Sequence, residues 1–295
     1  MRETLEADQS GLATVQAQMD MPKGTCMPPK RVLVTGATGQ VGYMTYSRLR
    51  HRPEEYEVYA LDRKIEPSDR VPRSWSIDID QERLRVTDLS DFDGVLEAVR
   101  DMDVVVHLAA DPEGDTWDSV LHNNVIATYN VFEASRQMGV SRIVAASSIM
   151  VSQGHREQEP CRAMMERRHS DIPAHVDPIT PAIAAEPRSL YAASKVWTES
   201  LARVYSHTHG MSCICVRVGQ VERDRPRPPQ GADIYVSQRD IVQILKRCVD
   251  ADQRLRFGVF YGMSNNDLRW VDINDAEHRL GYVPQDRAED GHDYD

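Results

Sequence analysis

The stretch RVLVTGATGQVG, residues 31–42, decides the fold together with YEVYALD at residues 56–62. An apolar run of strand character leads into a glycine-rich turn, and a segment of helical character follows to about Arg50. The second apolar run ends at Asp62. A strand, a helix and a second strand in this order predict a βαβ unit, in which the two strands run parallel.

The same alternation continues well beyond this unit. Strand-like runs occur at ERLRVTD (82–88), VVVHLAA (104–110), RIVAASS (142–148) and SCICVR (212–217). Helical patterns separate them, including a long one from Trp117 to Met138. The sequence therefore predicts an α/β fold built on a Rossmann-type doubly wound parallel sheet.

Composition argues against several classes of function. The 46 acidic residues outnumber the 35 basic ones, for a net charge of −11, which argues against binding to nucleic acid or to an anionic membrane surface. The mean hydropathy is −0.52, and no apolar run approaches the roughly 20 residues that cross a bilayer. The 5 cysteines lack C-x-x-C spacing, which predicts reduced thiols in a cytoplasmic protein and no metal site.

The glycine-rich turn predicts a dinucleotide site. Gly36, Gly39 and Gly42 follow a strand directly and open a helix. Glycine lets the backbone turn tightly, so that a pyrophosphate can approach the free N–H groups at the helix N-terminus. We expect Gln40 and Val41, in the first helical turn, to contact the same pyrophosphate.

Asp62 closes the second strand at the distance from the turn that this motif requires. Its carboxylate can accept both adenosine ribose hydroxyls and would repel a 2′-phosphate, so NAD is the expected cofactor. Arg63 keeps NADP possible, because an arginine beside the ribose can pair with a phosphate. Further cofactor contacts are predicted at the ends of the next two strands, at Asp88, Leu89, Leu108, Ala109 and Ala110.

The segment YAASK predicts the catalytic residues. Tyr191 and Lys195 are four residues apart and so share one face of a helix. The lysine charge is expected to lower the tyrosine pKa, and a tyrosinate can take the proton of a sugar hydroxyl. Ser148, at the end of the fifth strand, is placed to hold the same hydroxyl. Each residue alone has a purely structural explanation, which the combination disfavours.

The rest of the chain divides into segments of different character. Residues 1–29 are expected to be a flexible leader, 30–220 the dinucleotide-binding domain, and 221–295 a small substrate-binding cap with a polar tail. Residues 155–188 are rich in charge and proline, and we expect an irregular excursion. There Arg162, Arg167, Arg168 and His169 form either an anion site or, as the favoured alternative, a solvated charge run. His107 is expected to be a hydrogen-bonded core histidine.

From about Arg31 to Glu289 the chain resembles extended short-chain dehydrogenases/reductases of the NAD-dependent epimerase/dehydratase family. The resemblance rests on TGATGQVG (35–42), LDR (61–63), TDLSD (87–91), HLAA (107–110), HNNVIATYNVFEAS (122–135), AASS (145–148) and YAASK (191–195). Within the family, DPEGDTWDSVLHNN (111–124) and FYGMSNNDLRWVD (260–272) are most similar to uronate dehydrogenase-like sugar dehydrogenases.

The resemblance implies roles for individual residues. Tyr191 would be the base, Lys195 its partner and a ribose ligand, Ser148 a ligand of the substrate hydroxyl, and Asn124 a support beside the cofactor. It also implies a homodimer, formed through the long helix at 117–138 and the helix that begins near Ser189.

The substrate end departs from the uronate dehydrogenase pattern. Those enzymes usually have Asn-His after the catalytic serine and a serine after the Arg-x-Gly of strand six, where this chain has Ile149-Met150 and Gln220. We take these three residues, with Ser148, as the predicted substrate contacts. The apolar wall favours a substrate less dependent on a carboxylate. The short chain beyond Val216 favours an unconjugated sugar, sugar acid or polyol over a nucleotide sugar.

Three functions compete at this stage. The leading one is an NAD-dependent dehydrogenase that oxidises a hydroxyl of a small sugar. The second is an epimerase or dehydratase that retains its NAD and returns the hydride to the same substrate. The third is a dinucleotide-binding sensor without catalysis, which the intact Ser148, Tyr191 and Lys195 disfavour.

Overall fold

The structure is a computed structural model that describes residues 28–222 and 231–290. The expected leader at residues 1–29 lies outside the described residues except for its last two. The polar tail likewise lies outside them from residue 291 onward.

A sheet of seven parallel strands forms the centre of the molecule, in the order β3-β2-β1-β4-β5-β6-β9. A separate two-stranded parallel ribbon pairs β7 with β8. The strands are β1 (Lys30–Thr35), β2 (Tyr56–Asp62), β3 (Leu84–Val86), β4 (Val104–His107), β5 (Arg142–Ser148), β6 (Ser212–Val218), β7 (Gln220–Val221), β8 (Tyr235–Val236) and β9 (Phe257–Gly262). The strand order reverses between β1 and β4, which confirms the predicted doubly wound sheet and places a crevice at the carboxyl ends of these strands.

Helices cover both faces of the sheet. They are α1 (Gln40–Arg50), α2 (Phe92–Ala98), α3 (Trp117–Val120), α4 (Ala127–Gln137), α5 (Gln153–Arg156), α6 (Cys161–Met165), α7 (Leu190–His209), α8 (Gln238–Asp250) and α9 (Asn274–Leu280). The predicted long helix at 117–138 is present as α3 and α4, joined by a π-helical segment at Leu121–Ile126.

Successive apolar residues of each strand enter different cores, because side chains alternate across a sheet. Val32 and Val34 pack with α1 and α8 on one face. Leu33, between them, packs with α2, α4 and α7 on the other. All three are fully buried, as expected for a parallel strand covered on both faces.

The segment assigned to the cap differs from the prediction. β9 pairs with β6 from Cys213–Phe257 to Val218–Gly262 and is therefore the seventh strand of the main sheet. α8 packs its apolar face, including Ile241 and Leu245, into the core beneath that sheet. Hydrophobic burial thus assigns about half of residues 221–262 to the nucleotide-binding domain rather than to a cap.

The excursion at 155–188 consists of short helices and turns around a third core. Cys161 and Met164 of α6 pack there with Trp270, and Ile149 and Ile234 join the same cluster from the cleft side. The excursion therefore packs behind the part of the cleft wall that Ile149 and Ile234 form.

Candidate active site

A cleft of about 940 Å³ opens at the carboxyl ends of the central strands, within the size range of small-molecule sites. It brings together the predicted cofactor and substrate residues, with one exception. Asn124 is buried behind the cleft and does not line it. The others all contribute to the walls, namely Gly36, Gly39, Gln40, Val41, Gly42, Asp62, Arg63, Asp88, Leu89, Leu108, Ala109, Ala110, Ser148, Ile149, Met150, Tyr191, Lys195 and Gln220.

The glycine-rich turn has a backbone that only glycine allows at two positions. Gly36 has φ +68°, and a Cβ there would lie 2.8 Å from the Ala109 backbone. A Cβ on Gly42 would lie 1.9 Å from the Gly36 carbonyl oxygen. Gly39 caps α1 without a side chain, so the first N–H groups of the helix remain directed at the cleft.

Asp62 is held in place by three donors. The Thr38 backbone N–H and hydroxyl donate to its Oδ2 at 3.0 and 2.8 Å, and the Arg63 N–H donates to Oδ1 at 2.8 Å. The carboxylate is thereby fixed at the end of β2, where an adenosine ribose would lie. Sequence reasoning missed Thr38, because nothing in the spacing shows that a residue of the turn reaches the next strand.

Arg63 and Asp88 flank the same end of the cleft. The Arg63 guanidinium donates to the Asn123 Oδ1 at 3.3 Å. Asp88 accepts bonds from the Ser90 N–H and hydroxyl, both at 2.8 Å, and these bonds lower the pKa of its carboxyl group. This end of the cleft thus combines the anchored Asp62 and Asp88 carboxylates with the cations Arg63 and Lys64.

These residues fit a dinucleotide. The cleft continues from Asp62 past the open start of α1 to Tyr191, so one continuous wall offers a carboxylate for ribose hydroxyls, N–H groups for a pyrophosphate and a reactive end. Because Gly42 has no side chain, the start of α1 packs directly against Gly36, which leaves room for a pyrophosphate to reach the helix N-terminus.

Ser148, Tyr191 and Lys195 meet at the far end of this cleft. β5 ends at Ser148, and α7 begins one residue before Tyr191, with the Ser189 hydroxyl accepting the Ala192 N–H at 3.1 Å. Ser148 and Tyr191 line the cleft together, and the Ser148 side chain acts to lower the pKa of Tyr191. The Lys195 Nζ lies 5.5 Å from the Tyr191 ring centre and donates to the Ala146 carbonyl at 3.1 Å.

The pKa of Tyr191 differs from the sequence expectation. Burial raises it, although the Ser148 side chain and the charge of Arg70 act to lower it. Burial also lowers the pKa of Lys195 to about 8. The expectation of a lowered tyrosine pKa is wrong, because desolvation of the phenolate outweighs its stabilisation by neighbouring groups.

A hydrogen-bonded support stands behind the tyrosine. The Asn124 Nδ2 donates to the Asp111 carbonyl at 3.0 Å and to the Ser194 hydroxyl at 3.1 Å. Ser194 in turn donates to the Tyr191 carbonyl at 2.7 Å. Gly114, which sequence reasoning missed, has φ +62°, and a Cβ there would lie 2.7 Å from the Tyr191 Cβ. Asn124 therefore holds the start of α7 against the loop after β4.

Both apolar and polar side chains form the cleft wall around Ser148, where the substrate is predicted to bind. Ile149 and Met150 line it from the turn after β5, and Ile234 faces the cleft from the segment before β8. Gln220 also lines it, but its side-chain amide donates to the Glu222 carboxylate. Apolar side chains therefore provide much of the described surface around Ser148.

Two other predictions concern residues away from the cleft. His107 is buried and bonds to the Thr35 and Thr128 hydroxyls at 2.9 and 3.2 Å, which confirms it as a core histidine. In the basic cluster, Arg162 pairs with Glu166 at 2.9 Å, and Arg168 is surrounded by the carboxylates of Glu159, Glu166 and Asp171. These ion pairs favour the interpretation of the cluster as a solvated run of charges over an anion site.

Two features are absent from residues 28–222 and 231–290, the parts of the chain that the structure describes. Over these ranges, no three His, Cys, Asp or Glu side chains are grouped as a metal ion would require. Within the same ranges, no helix has the length and apolar character to cross a membrane.

Comparison with known proteins identifies the family. The sequence profile of the NAD dependent epimerase/dehydratase family matches residues 32–276. The chain belongs to this family. Among curated family members, it is 31% identical to the NAD-dependent glucose-6-phosphate dehydrogenase of Haloferax volcanii, over 87% of this chain and 94% of the relative. It is 29% identical to the L-arabinose 1-dehydrogenase (NAD(P)(+)) of the same organism, over 88% and 97%.

A solved family member agrees with this assignment. A uronate dehydrogenase variant from Agrobacterium tumefaciens, in complex with NAD, superposes with a TM-score of 0.69 at 28% identity, covering 88% of this chain and 86% of that one. The protein is therefore an NAD-dependent enzyme of the short-chain dehydrogenase/reductase type, as predicted.

Proposed function

We propose that the protein is a dehydrogenase that oxidises a hydroxyl of a small free sugar, sugar acid or polyol, with Tyr191 as the general base. The observation that carries the proposal is the meeting of Ser148, Tyr191 and Lys195 at the end of the dinucleotide cleft. Bound NAD would supply the hydride acceptor for the substrate carbon.

The residues of the chain have distinct roles in this proposal. Asp62 and the start of α1 would hold the adenosine ribose and the pyrophosphate. Ser148 would hydrogen-bond with the substrate hydroxyl and orient that hydroxyl toward the Tyr191 oxygen, which takes the proton. The Lys195 ammonium, with a pKa of about 8, is largely charged at neutral pH and would stabilise the tyrosinate.

The proposed size of the substrate rests on the described segments that enclose the cleft around Ser148. Because α8 and β9 belong to the main sheet, the described cap consists of 219–222, 231–237 and 263–290, with the 155–188 excursion behind it. We propose that these described segments enclose a free sugar, since a nucleotide sugar needs further contacts if the binding energy of its nucleotide half is to be used. The apolar Ile149, Met150 and Ile234 favour a substrate that is less dependent on a carboxylate than uronates are.

The homodimer and the cellular location are also proposals. α4 and α7 lie side by side, with the Phe132 and Tyr205 ring centres 5.4 Å apart. Trp117 on α3, Tyr129 on α4 and Leu190, Trp197 and Val204 on α7 are 39–58% exposed, and such apolar groups favour burial against a second copy. The buried, unpaired cysteines of the described residues suit a reducing cytoplasm.

A substrate panel tests the proposed reaction. Purified protein with added NAD is incubated with glucose, L-arabinose, glucose 6-phosphate, glucuronate, galacturonate, a polyol, UDP-glucose and GDP-mannose, and NADH formation is followed by absorbance. We expect many turnovers of net NADH with at least one free sugar. Isomerised product with retained cofactor and no net NADH would indicate the epimerase instead. Cofactor binding without any turnover would indicate the sensor.

A UDP- or GDP-sugar with a kcat/KM above that of every free sugar would overturn the size argument alone. A sugar phosphate preferred over the free sugars would place an anion site at the substrate end. Either result would leave the dehydrogenase reaction intact.

A further inference from the structure

A buried polar network lies behind the substrate end of the cleft. Ser147 pairs in register with Arg217, and Arg217 with Tyr261, so the three residues stand side by side on β5, β6 and β9. Because paired residues of parallel strands point to the same face, all three side chains meet under α7. That helix adds Glu199, one turn beyond Lys195.

The centre of the network is a buried ion pair. The Arg217 Nε and Nη2 donate to the two Glu199 carboxylate oxygens at 2.8 and 2.9 Å. The two side chains are only 3% and 12% exposed. The Ser147 hydroxyl donates to the Glu199 Oε1 at 2.6 Å, which ties the pair to the strand that carries Ser148.

The other end of the guanidinium reaches the substrate wall. The Arg217 Nη1 donates to the Tyr261 hydroxyl at 2.8 Å and to the Ser152 hydroxyl at 3.2 Å. The two hydroxyl groups also bond to each other at 2.7 Å. Ser152 ends the short turn that starts after Ser148, and the first two residues of that turn, Ile149 and Met150, line the cleft.

We propose that Glu199 and Arg217 are positioning residues, which act through Ser152 and Tyr261 to fix the turn at 149–152 and hence the orientation of the substrate hydroxyl before Tyr191. The inference rests on the proposed function for the identity of the substrate. The same turn also packs on the third core through Ile149, but apolar contacts are non-directional. The backbone of the turn is also held by the Glu186 N–H, which donates to the Val151 carbonyl at 2.9 Å. Arg217, itself fixed by its bidentate bond to Glu199, adds a directional bond at the Ser152 end of the turn.

The network bonds to the turn at 149–152, through Ser152, and not to the turn that is predicted to hold the dinucleotide. None of Glu199, Arg217, Ser152 and Tyr261 lines the cleft. Loosening the turn should therefore impair use of the sugar while the dinucleotide still binds at the other end. A merely structural role would instead affect stability and both ligands together.

The variant Ser152→Ala tests this, because it cuts the link to the turn and leaves the Glu199–Arg217–Ser147 bonds in place. Its matched control is Ser206→Ala, which removes a buried hydroxyl that lies on α7, outside the network, and donates to the Arg256 carbonyl at 2.9 Å. Both full-length proteins are compared with wild type by hydrogen exchange of peptides covering 149–156, by NADH titration, and by kinetics with the best sugar of the panel.

For Ser152→Ala we expect at least tenfold faster exchange at 149–156 and a roughly tenfold lower kcat/KM, since misplacement of about 1 Å can cost up to 10²-fold. The NADH dissociation constant should stay within twofold, and Ser206→Ala should match wild type in all three measurements. Tyr261→Phe should change the same quantities in the same direction.

Unchanged exchange at 149–156 would overturn the inference whether or not any sugar is oxidised. Faster exchange with an unchanged kcat/KM, or with equally weakened NADH binding, would also overturn it. If wild type oxidises no sugar, the proposed function fails. Hydrogen exchange, repeated with NADH bound, then decides the positioning claim on its own.

Discussion

His107 is buried beneath the cleft and Lys195 lines it, and burial lowers the pKa of both side chains. The pKa of His107 is lowered to about 3, with a smaller contribution from the Lys195 charge, and that of Lys195 to about 8. At neutral pH the imidazole is thus neutral and the ammonium is largely charged. A neutral imidazole can hydrogen-bond with the Thr35 and Thr128 hydroxyls without repelling the charge of Lys195.

The low pKa of His107 predicts an acid-sensitive fold. The unfolded chain binds a proton at this residue near pH 6.5 and the folded chain only near pH 3, so its contribution to stability is complete above pH 6.5 and is lost as the pH falls toward 3. We expect wild type to lose about 1.4 kcal/mol more per pH unit between pH 6 and 4 than His107→Gln. Urea unfolding of both proteins over this range measures the difference. Equal pH slopes would show that His107 is not held neutral.

The preference for one cofactor depends on how two secondary-structure elements meet, because Asp62 at the end of β2 lies against the turn that opens α1. Thr38 fixes one carboxylate oxygen from that turn, and Arg63 provides the opposing charge. Wild type should therefore prefer NADH to NADPH. Asp62→Ala should weaken NADH binding and reduce the difference in affinity between NADH and NADPH, since the acceptors for the ribose hydroxyls and the repulsion of a 2′-phosphate are both lost.

Fluorescence titration with both reduced cofactors measures this preference. The control is Asp91→Asn, which alters the carboxylate at the N-cap of α2 outside the cleft and should bind both cofactors as wild type does. A wild-type preference for NADPH would show that Arg63 outweighs Asp62.

The elements also show what can be predicted from sequence. The glycine-rich turn was predictable because its constraint is local: backbone at Gly36 and Gly42 allows no Cβ. The position of β9 in the main sheet was not predictable, because its partner β6 lies some 40 residues earlier and the intervening Pro/Arg-rich loop suggests the start of a separate domain. The raised pKa of Tyr191 was not predictable either, since it depends on burial that long-range packing creates.

At the scale of the whole molecule, the exposed apolar residues of α3, α4 and α7 predict a homodimer. Trp197→Glu should shift the mass measured by light scattering from dimer toward monomer, because it would bury a charge in the seam. Val283→Glu is the control, since Val283 is 63% exposed and lies outside these helices. A monomeric wild type, or a Trp197→Glu protein that remains fully dimeric, would contradict the proposed seam.

The most direct test of the account is the turnover of Tyr191→Phe beside wild type, on the best sugar of the panel, with the NADH dissociation constant measured on the same samples. Removing the phenolic oxygen deletes the proton acceptor and keeps the ring, and general-base groups contribute roughly 10²–10⁴-fold in rate. We predict a loss of kcat in that range with NADH affinity within a few-fold of wild type. Near-wild-type turnover would contradict the central claim that Tyr191 takes the proton.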